Sequence, residues 1–412
     1  MKRQLKDFNF LNDLNQRINP EKSRNFNRED LLKKISRLME TGNQDPFKTP
    51  EGTLRFGIIG SNGKGSTSQI LSFYLNNSLP GLYTSPHLKS VTERIQIQNQ
   101  NLDHEEFNAL YFEMLHILKE DHYSYFEILT ILSMYIFNLK KCKYQIYEAG
   151  IGGRFDATRM ARPQAVILTG ISLEHTQILG NSLSEILDEK LALLGGYTKH
   201  FFYPAYLDPI LPGIIDRVHI INPQITIHPF HMNPELLKQN YLKFNDFYAG
   251  FILKEMEIPG AYHKMGINSE FKVRGRMEKY SSIVNGRNIE WIYDIAHNPE
   301  AIELLFYNLK TKTDLSRTAV FAGFLPDKNN ESCFQIIKQF KPALLYQITG
   351  DDFHSKKILD QYISLKDIEN ELRKLLENHR IQSILMTGSS RLYEYFFYFA
   401  GNHSKTIHQK EI

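Results

Sequence analysis

An apolar run that ends in a glycine-rich turn sets the first limit on how this chain folds. The run Phe56–Ile59 leads into Gly60-Ser61-Asn62-Gly63-Lys64-Gly65-Ser66-Thr67. Glycines let backbone N–H groups approach an anion, and a helix that follows points its positive end at the same place. Lys64 adds a positive charge for terminal phosphates, and the Ser66 hydroxyl suits Mg²⁺. The pattern predicts a strand, a turn and a helix that hold a triphosphate on Asn62, Gly63, Lys64, Gly65 and Ser66.

The spacing within this turn departs from the common P-loop pattern G-x-x-x-x-G-K-[ST]. Ile58 stands where the first glycine belongs, and Gly65 separates Lys64 from Ser66. The turn is therefore a variant, and an ordinary strand–turn–helix with a surface lysine is the alternative interpretation. Three glycines around one lysine, directly after a strand, favour the phosphate site.

Composition and charge limit the classes of protein to which the chain can belong. It has 412 residues, of which 42% are hydrophobic and 23% charged, as in a globular protein of two or three domains. A net charge of +3 leaves no basic excess for nucleic acid. Cys142 and Cys333 are far apart and favour a reducing compartment without disulfides. The start of the chain is polar and the apolar run 128–139 is too short to span a bilayer, so we expect a cytoplasmic protein with no membrane partner.

Strand and helix patterns alternate along most of the chain, which predicts an α/β fold. We expect a large N-terminal P-loop-type domain with a doubly wound, mostly parallel sheet, followed by a smaller Rossmann-like α/β domain. Residues 200–272 contain several prolines and are less regular, so we place the domains at 1–272 and 273–412. Ligands of such sheets bind beyond the carboxyl ends of the strands, so polar side chains at those ends are candidates for a site.

Two such side chains follow strands near the phosphate turn. Glu148 ends the strand Tyr144–Tyr147, and a carboxylate there suits Mg²⁺, which takes a few hard oxygen ligands together with nucleotide phosphates. His175 follows the next strand by a few residues. The alternatives are a helix-capping or surface carboxylate for Glu148 and a structural histidine for His175.

Lys190 lies in a helix whose start is marked by a capping box, Ser182 with Glu185. It falls on the apolar stripe of that helix, which is formed by Leu183, Ile186, Leu187, Leu191 and Leu194. Asp188 and Glu189 are expected to be solvated instead. Since burial disfavours a charged amine, we predict a lowered pKa and a reactive neutral Lys190. The alternative is a lysine that extends along the edge of the stripe to solvent.

A second group of polar residues marks the C-terminal domain. Asp294-Ile295-Ala296-His297-Asn298-Pro299 follows a strand and precedes a helix, which places Asp294 and His297 to meet a ligand. A capped turn is the alternative, because Asp and Asn favour helix starts in any case. Arg276, near the domain boundary, is placed to reach a phosphate.

Together these motifs resemble the folylpolyglutamate synthase/dihydrofolate synthase family of the Mur ligase superfamily. Their order and spacing match from about residue 30 to the C-terminus. The matching segments, in chain order, are Gly60–Ser66, Thr84–Leu88, Glu93–Ile95, Tyr125–Glu127, Glu148–Thr158, His175–Thr176, Leu179–Gly180, Glu189–Lys190, Gly275–Glu278, Asp294–Pro299, Asp327–Lys328 and Thr387–Ser389. Among its departures from the family pattern are Glu174, where aspartate is usual, and Arg159, where asparagine is common.

The resemblance implies an ATP-dependent amide ligase that uses ATP and Mg²⁺. ATP would phosphorylate the carboxylate of a pteroate or folate, and the amine of L-glutamate would displace phosphate from the acyl phosphate. Residues 1–272 would form the ATP-binding, Mur-ligase-like central domain with the pteroate or folate site. Residues 273–412 would form the C-terminal glutamate-ligase domain.

The resemblance also implies roles for single residues. The catalytic residues would be Lys64, His175 and Lys190, of which Lys190 matches the lysine that is carbamylated in the family. Nucleotide contacts outside the phosphate turn would be Asn245, Arg276, Asp294 and His297. The pterin-bearing substrate would bind Tyr125, Phe126, Phe155 and Asp156. The Mg²⁺ ligands would be Ser66, Ser85, Glu148, His175 and Lys190.

Two other functions are compatible with parts of this pattern. A Mur-type ligase adds an amino acid to a UDP-sugar cell-wall precursor, but such enzymes usually carry an extra N-terminal domain, and only about 50 residues precede the turn here. A nucleotide-binding protein that has lost ligation would be expected to lose Lys64, Glu148 and Lys190 first. We therefore expect a monomeric enzyme whose partners are ATP, L-glutamate and a pteroate or folate.

Overall fold

The computed structural model describes residues 10–17, 28–41, 47–118, 123–259, 272–350, 353–354, 356–377 and 380–402. The chain divides into two compact units, of which the first is formed by Met1–Met232 with Asn245–Met265 and the second by Asn233–Phe244 with Gly266–Ile412. The bounds expected from the sequence, 1–272 and 273–412, differ chiefly in the segment 233–244, which belongs to the second unit. Each unit contains one sheet, and the predicted α/β fold is confirmed.

The first unit is built on an eight-stranded sheet. Its strands are β1 (Leu54–Ile59), β2 (Pro80–Tyr83), β3 (Ile95–Ile97), β4 (Gln100–Asn101), β5 (Tyr144–Glu148), β6 (Ala165–Leu168), β7 (His200–Pro204) and β8 (Thr226–Phe230). Their spatial order is β4-β3-β2-β5-β1-β6-β7-β8. The pairs β4–β3 and β3–β2 are antiparallel, and the other five pairs are parallel. The parallel order brings the carboxyl ends of β1, β2, β5 and β6 to one edge of the sheet.

Two apolar clusters attach the helices of the first unit to its sheet. The helices before residue 256 are α1 (Phe10–Gln16), α2 (Arg28–Thr41), α3 (Lys64–Tyr74), α4 (His104–Leu118), α5 (Tyr125–Leu139), α6 (Thr176–Leu179), α7 (Leu183–Leu191), α8 (Ile214–Ile221), α9 (Glu235–Gln239) and α10 (Tyr241–Glu255). Of these, α9 and the first turn of α10 lie in the segment 233–244 of the second unit. One cluster joins α4 and α5 to β2 and β5, and the other joins α7 and α8 to β6 and β7. The central strands β5 and β6 are buried along their whole length, as expected where helices cover a parallel sheet.

The segment after residue 200 is more regular than the sequence indicated. Its described part, up to residue 259, adds β7, α8, β8 and α10, and both strands extend the sheet in parallel. Pro204 ends β7, and Pro229 lies in β8, which is an edge strand. Proline lacks an N–H donor and is tolerated at strand ends and edges, which explains why these prolines do not break the sheet.

The second unit carries a six-stranded sheet of order β13-β12-β11-β14-β10-β9. Its strands are β9 (Glu278–Val284), β10 (Arg287–Asp294), β11 (Thr318–Ala322), β12 (Leu344–Thr349), β13 (Tyr362–Ser364) and β14 (Ser383–Thr387). All neighbours are parallel except β9 with β10. The helices are α11 (Pro299–Lys310), α12 (Asn330–Gln339), α13 (Ile368–Glu377) and α14 (Tyr393–Asn402). The predicted Rossmann-like alternation is thus confirmed, while the edge strands β9 and β13 were missed.

Candidate active site

The phosphate turn connects β1 to α3 as the sequence predicts. Gly63 precedes the helix in the left-handed backbone region, with φ of 90°, which a residue with a side chain rarely adopts. The first helical bond runs from the N–H of Thr67 to the carbonyl of Gly63, at 2.9 Å. Because the turn leaves the first N–H groups of α3 without intrahelical partners, it forms a typical anion-binding end.

Two side chains of the turn, Lys64 and Ser66, differ in whether they have hydrogen-bond partners. Lys64 folds back over the turn, and its Nζ donates to the carbonyls of Gly60 at 2.8 Å and Ser61 at 3.1 Å. The Ser66 hydroxyl is buried, and the described residues offer it no hydrogen-bond partner. A buried hydroxyl without a partner is unfavourable, and a bound phosphate or metal ion would supply one. The donors at this turn therefore fit Mg²⁺ with a nucleotide.

Glu148 lies at the carboxyl end of β5, beside the turn in the parallel register in which it pairs with Ile58. Its carboxylate is 3% exposed and accepts hydrogen bonds from the hydroxyl of Thr84 and from the N–H of Ser85, the latter at 3.1 Å. The structure thus joins Ser85 and Glu148, two of the predicted metal ligands. Within the described ranges, no three His, Cys, Asp or Glu side chains form a metal-binding group. A hydroxyl, a carboxylate and phosphate oxygens are the ligand types that Mg²⁺ accepts in their place.

Lys190 is buried on the inner face of α7, as predicted, with 1% of its side chain exposed. The predicted capping box of Ser182 and Glu185 begins this helix. The ammonium group donates to the carboxylate of Glu174 at 3.0 Å and to the carbonyls of Gly60 at 2.9 Å and Ile151 at 3.1 Å. Lys190 therefore lies beside the phosphate turn and forms an ion pair that the sequence did not predict.

The neighbours of Lys190 on α7 match the prediction only in part. Asp188 is exposed as expected. Glu189 is only 16% exposed, because its carboxylate pairs with Arg154 Nε at 3.0 Å. The expectation that Glu189 is solvated was therefore wrong, since the segment that carries Arg154 packs against this end of the helix.

Burial and charge act in opposite directions on the Lys190–Glu174 pair. Burial, with a smaller effect from the Lys64 ammonium, lowers the pKa of Lys190 to about 8 although Glu174 opposes the shift. Burial would raise the pKa of Glu174, but the Lys190 and Lys64 ammonium groups hold it well below its usual range. At neutral pH the pair is mostly ionised, and the neutral fraction of Lys190 is larger than that of an ordinary lysine.

We expect Glu174→Gln to destabilise the protein by about 3–5 kcal/mol at pH 6, because it leaves a buried ammonium group without its carboxylate. The loss should shrink at pH 9, where Lys190 releases its proton and no unpaired charge remains. Urea unfolding at the two pH values measures both effects. Asp188→Asn on the same helix is the control, since its partner Arg217 is partly exposed and such surface pairs are worth at most about 1 kcal/mol. Equal losses at pH 6 and pH 9 would contradict the ion-pair explanation.

Gly153 permits the close approach of the loop after β5 to the end of α7. A Cβ atom at this position would lie 2.3 Å from the carbonyl of Lys190 and 2.8 Å from the N–H of Leu193, both of which are backbone atoms. Gly153→Ala should therefore cost about 1–3 kcal/mol in unfolding free energy and displace Lys190. Gly196→Ala, where a Cβ would meet nothing within 4 Å, is the matched control. The prediction fails if both variants unfold at the same urea concentration.

His175 follows β6 and precedes α6 in the left-handed backbone region, with φ of 46°. It is partly buried and lies next to Glu174 in the chain. Of these two neighbours, Glu174 is the one whose side chain reaches Lys190. The role of His175 as a metal ligand stays a prediction.

Two of the four predicted substrate residues meet at Gly150. The Asp156 carboxylate is buried and accepts from the N–H groups of Gly150 at 2.8 Å and Thr158 at 3.0 Å. A Cβ on Gly150 would lie 3.1 Å from the ring of Phe126. Burial raises the pKa of Asp156, against these hydrogen bonds.

The other two predicted substrate residues lie on neighbouring segments. Tyr125 begins α5 and lies under the guanidinium of Arg94, 5.2 Å from its ring centre. Phe155 is partly buried beside Asp156 in the chain. Arg94 belongs to a segment that matched the family, but the sequence reasoning gave it no role.

Asn245 belongs to the first unit and lies at the phosphate turn. It is 4% exposed, and its Oδ1 would be 3.4 Å from a Cβ on Gly63. The sequence contains no local signal for this approach, because α10 follows the turn by about 180 residues. The structure thus places one predicted nucleotide contact beside the glycine that begins α3.

The remaining predicted nucleotide contacts lie in the second unit around Asp294. This carboxylate accepts from the hydroxyl of Tyr241 at 2.5 Å and from the N–H groups of Met277 at 2.9 Å and Ala296 at 2.8 Å. Burial raises the pKa of Asp294, and the charge of Arg276 opposes this shift. Tyr241 was missed by the sequence reasoning, since it is 53 residues from its partner.

His297 Nδ1 lies 2.9 Å from the carbonyl of Ile295, and Asn298 caps α11 through the N–H of Ala301. The interpretation of this segment as a capped turn is therefore correct for Asn298. It is not in conflict with a ligand site at Asp294.

The two sheets and the phosphate turn define a P-loop-type α/β protein with a Rossmann-like second unit. None of the helices in the described part of the chain is long and apolar enough to cross a membrane. Solved structures share this architecture: FolC of Escherichia coli in complex with ADP has a TM-score of 0.73 and 21% identity, over 93% of this chain and 95% of its own. Mycobacterium tuberculosis folylpolyglutamate synthase complexed with ADP has a TM-score of 0.73 and 17% identity, over 94% of this chain and 96% of its own.

Sequence comparison finds curated relatives of this chain. No family model matches the chain. It is 33% identical over 166 residues to dihydrofolate synthase/folylpolyglutamate synthase of Haemophilus influenzae, which covers 40% of this chain and 36% of that protein. It is 28% identical over 296 residues to the Escherichia coli protein of the same name, which covers 66% of this chain and 68% of that protein. The chain is thus similar to members of the dihydrofolate synthase/folylpolyglutamate synthase family, and it spans about a third of the first of these two relatives and about two thirds of the second.

Proposed function

We propose that this protein is an ATP-dependent ligase that joins L-glutamate to the carboxylate of dihydropteroate, of tetrahydrofolate or its polyglutamates, or of both. The reaction forms an acyl phosphate on that carboxylate, and the amine of glutamate displaces phosphate from it. The observation that carries the proposal is the phosphate turn, where Lys64, the unpartnered Ser66 hydroxyl and the buried Lys190 are gathered around Gly60–Ser66. Solved relatives support the substrates, since they contain ADP with DHPP, or Mn, AMPPNP and L-glutamate.

The first unit supplies most of the groups that this reaction needs. The N–H groups at the start of α3 hold the triphosphate, and Lys64 offsets the charge that builds on the transferring phosphoryl group. Ser66, Ser85, Glu148, His175 and a carbamylated Lys190 are the residues that would hold Mg²⁺. This ion would neutralise charge on the phosphate oxygens. Positioning and charge account for catalysis, because phosphoryl transfer needs little covalent chemistry from the protein.

The acceptor and nucleotide contacts follow from the same proposal. The pterin-bearing substrate binds near Gly150, where Phe126 and Asp156 meet, with Tyr125 and Phe155 on the adjoining segments. A buried carboxylate such as that of Asp156 can accept hydrogen bonds from N–H donors, and one edge of a pterin ring carries several such donors. Asn245, Arg276, Asp294 and His297 contact the nucleotide. The part of the chain after residue 272 contributes the glutamate-ligase domain.

The same proposal extends to partners and location. We propose a cytoplasmic monomer whose partners are small molecules. Cys142 and Cys333 are both free thiols and buried, which agrees with a reducing compartment. Size-exclusion chromatography with light scattering tests the monomeric state.

The proposed activity is tested by a substrate panel. Purified protein is incubated with Mg·ATP and L-glutamate, and with dihydropteroate, with tetrahydrofolate or with neither, while ADP release is measured. We expect ADP release only when glutamate and at least one of the two acceptors are present. ATP turnover that is indifferent to glutamate and to both acceptors would contradict the ligase and leave a nucleotide-binding protein.

A further inference from the structure

The backbone around Arg276 has an unusual conformation. Gly275 and Met277, its two neighbours, both lie in the left-handed region, with φ of 70° and 45°. Met277 carries a side chain, so this conformation is strained and persists only where the surroundings enforce it. We call Gly275–Met277 the arginine turn.

Two buried carboxylates hold the arginine turn from either side of Arg276. Glu278 Oε2 accepts from the N–H of Gly275 at 2.8 Å, and Asp294 Oδ2 accepts from the N–H of Met277 at 2.9 Å. The carbonyl of Gly275 in turn accepts from the N–H of Ile295 at 3.1 Å. The backbone on both sides of Arg276 is therefore fixed by charge-assisted hydrogen bonds, which are stronger than neutral ones.

Glu278 is itself held rigidly. Glu278 is 5% exposed, and its Oε1 accepts hydrogen bonds from the hydroxyls of Tyr280 and Tyr393, each at 2.7 Å. These donors come from β9 and α14, so the carboxylate joins the turn to two elements of the second unit. A carboxylate with this many donors has no freedom to follow a ligand, which makes it a fixed support.

The guanidinium of Arg276 takes little part in holding the turn. Its Nη1 donates to the carbonyl of Gly275 at 3.1 Å. The carboxylates of Glu278 and Asp294 accept hydrogen bonds from the backbone N–H groups of the arginine turn. Among the described residues, the charge of Arg276 therefore acts on the Asp294 carboxylate without a direct hydrogen bond to it, and most N–H donors of the guanidinium stay available for an anion.

We propose that Glu278 is a positioning residue for nucleotide binding, which fixes the arginine turn so that Arg276 can meet a phosphate group. Glu278 does not itself contact the nucleotide. The inference rests on the proposed function in one respect, since it takes Arg276 as a phosphate contact. Nothing in it depends on which pteroate or folate is the acceptor.

A double-mutant cycle with Mg·ADP as the probe tests this assignment by calorimetry on the full chain. Glu278→Ala should weaken ADP binding by about tenfold, on the order expected for loss of hydrogen bonds to a charged group. Arg276→Ala should weaken binding at least as much. Glu278→Ala added to Arg276→Ala should have little further effect, because Glu278 acts only through Arg276.

Two milder variants and one control separate a loss of ADP affinity from a loss of folding. Glu278→Gln keeps one carbonyl acceptor and should restore part of the affinity, and Tyr393→Phe removes one donor at 2.7 Å and should give a smaller loss than Glu278→Ala. Glu290→Gln is the control in the same unit, since Glu290 bonds Lys279 at 2.8 Å and Thr313 at 3.1 Å, away from the turn. Its ADP affinity should be unchanged.

Three outcomes would overturn the inference. They are unchanged ADP affinity in both Glu278 variants, fully additive losses in the double variant, and unchanged affinity in Arg276→Ala. The last would remove Arg276 as a phosphate contact, yet it would leave the proposed ligase intact as long as ADP release still depends on glutamate and an acceptor.

Discussion

Lys64→Ala should lower kcat by about 10²–10³, which is the usual loss when one group that stabilises transition-state charge is removed. The side chain lies over the phosphate turn, and within the described segments its ammonium group donates only to the carbonyls of Gly60 and Ser61, so its removal leaves no cavity in the core. We therefore expect the unfolding midpoint in urea to change little. Steady-state ADP release in the presence of glutamate and acceptor measures the loss of rate.

Lys199→Ala is the matched control for this variant, because Lys199 is an exposed lysine of the same unit. Its kcat should equal that of the unmodified protein. A Lys64→Ala protein that is folded and retains near-normal kcat would show that Gly60–Ser66 is not the phosphate site.

Lys190→Ala should lose most of the activity for a different reason. In the structure Lys190 is a buried cation paired with Glu174 at 3.0 Å, and burial lowers its pKa to about 8. The neutral amine is the form that reacts with CO₂, so raising the pH from 7 to 8 should increase CO₂-dependent activation. A carbamate would convert the cation beside the phosphate turn into an anionic oxygen ligand suited to Mg²⁺.

Restoring the activity of Lys190→Ala with a small carboxylate distinguishes the proposed metal-binding role of Lys190 from a role in packing. Acetate or bicarbonate should partly restore Lys190→Ala, because a small carboxylate can occupy the space of the missing group, whereas Lys190→Met should resist rescue. Normal activity of Lys190→Ala would end the proposed role, and so would an unmodified Lys190 detected by mass spectrometry in fully active protein.

The sequence predicted those parts of the fold that depend on local pattern. The phosphate turn, the capping box that begins α7 and the burial of Lys190 were all visible as residue types at fixed spacing, and the structure confirms them. Parallel pairing of the predicted strands then places Glu148 and Ser85 at one edge of the sheet without further information. The helix whose predicted apolar stripe runs from Leu183 to Leu194 ends earlier, at Leu191, because the N–H groups of Leu193 and Leu194 donate to carbonyls three residues back.

The features that the sequence did not predict depend on contacts between residues that are distant in the chain. Glu174 and Lys190 are 16 residues apart, and no periodicity reveals such a pair. Tyr241 and Asp294 are 53 residues apart, and Asn245 reaches the phosphate turn only through the packing of α10. The strands β7 and β8 were missed since prolines, which usually break strands, are tolerated at their ends and at the edge of the sheet.

The most direct test of the proposed activity is the stoichiometry of the complete reaction. Protein with Mg·ATP, isotopically labelled L-glutamate and dihydropteroate or tetrahydrofolate is sampled over time for ADP, phosphate and the glutamylated product. We expect the three products to rise together in equal amounts and the omission of glutamate to stop the formation of all three. ADP and phosphate that accumulate without any glutamylated product, with both acceptors tried, would contradict the proposed activity.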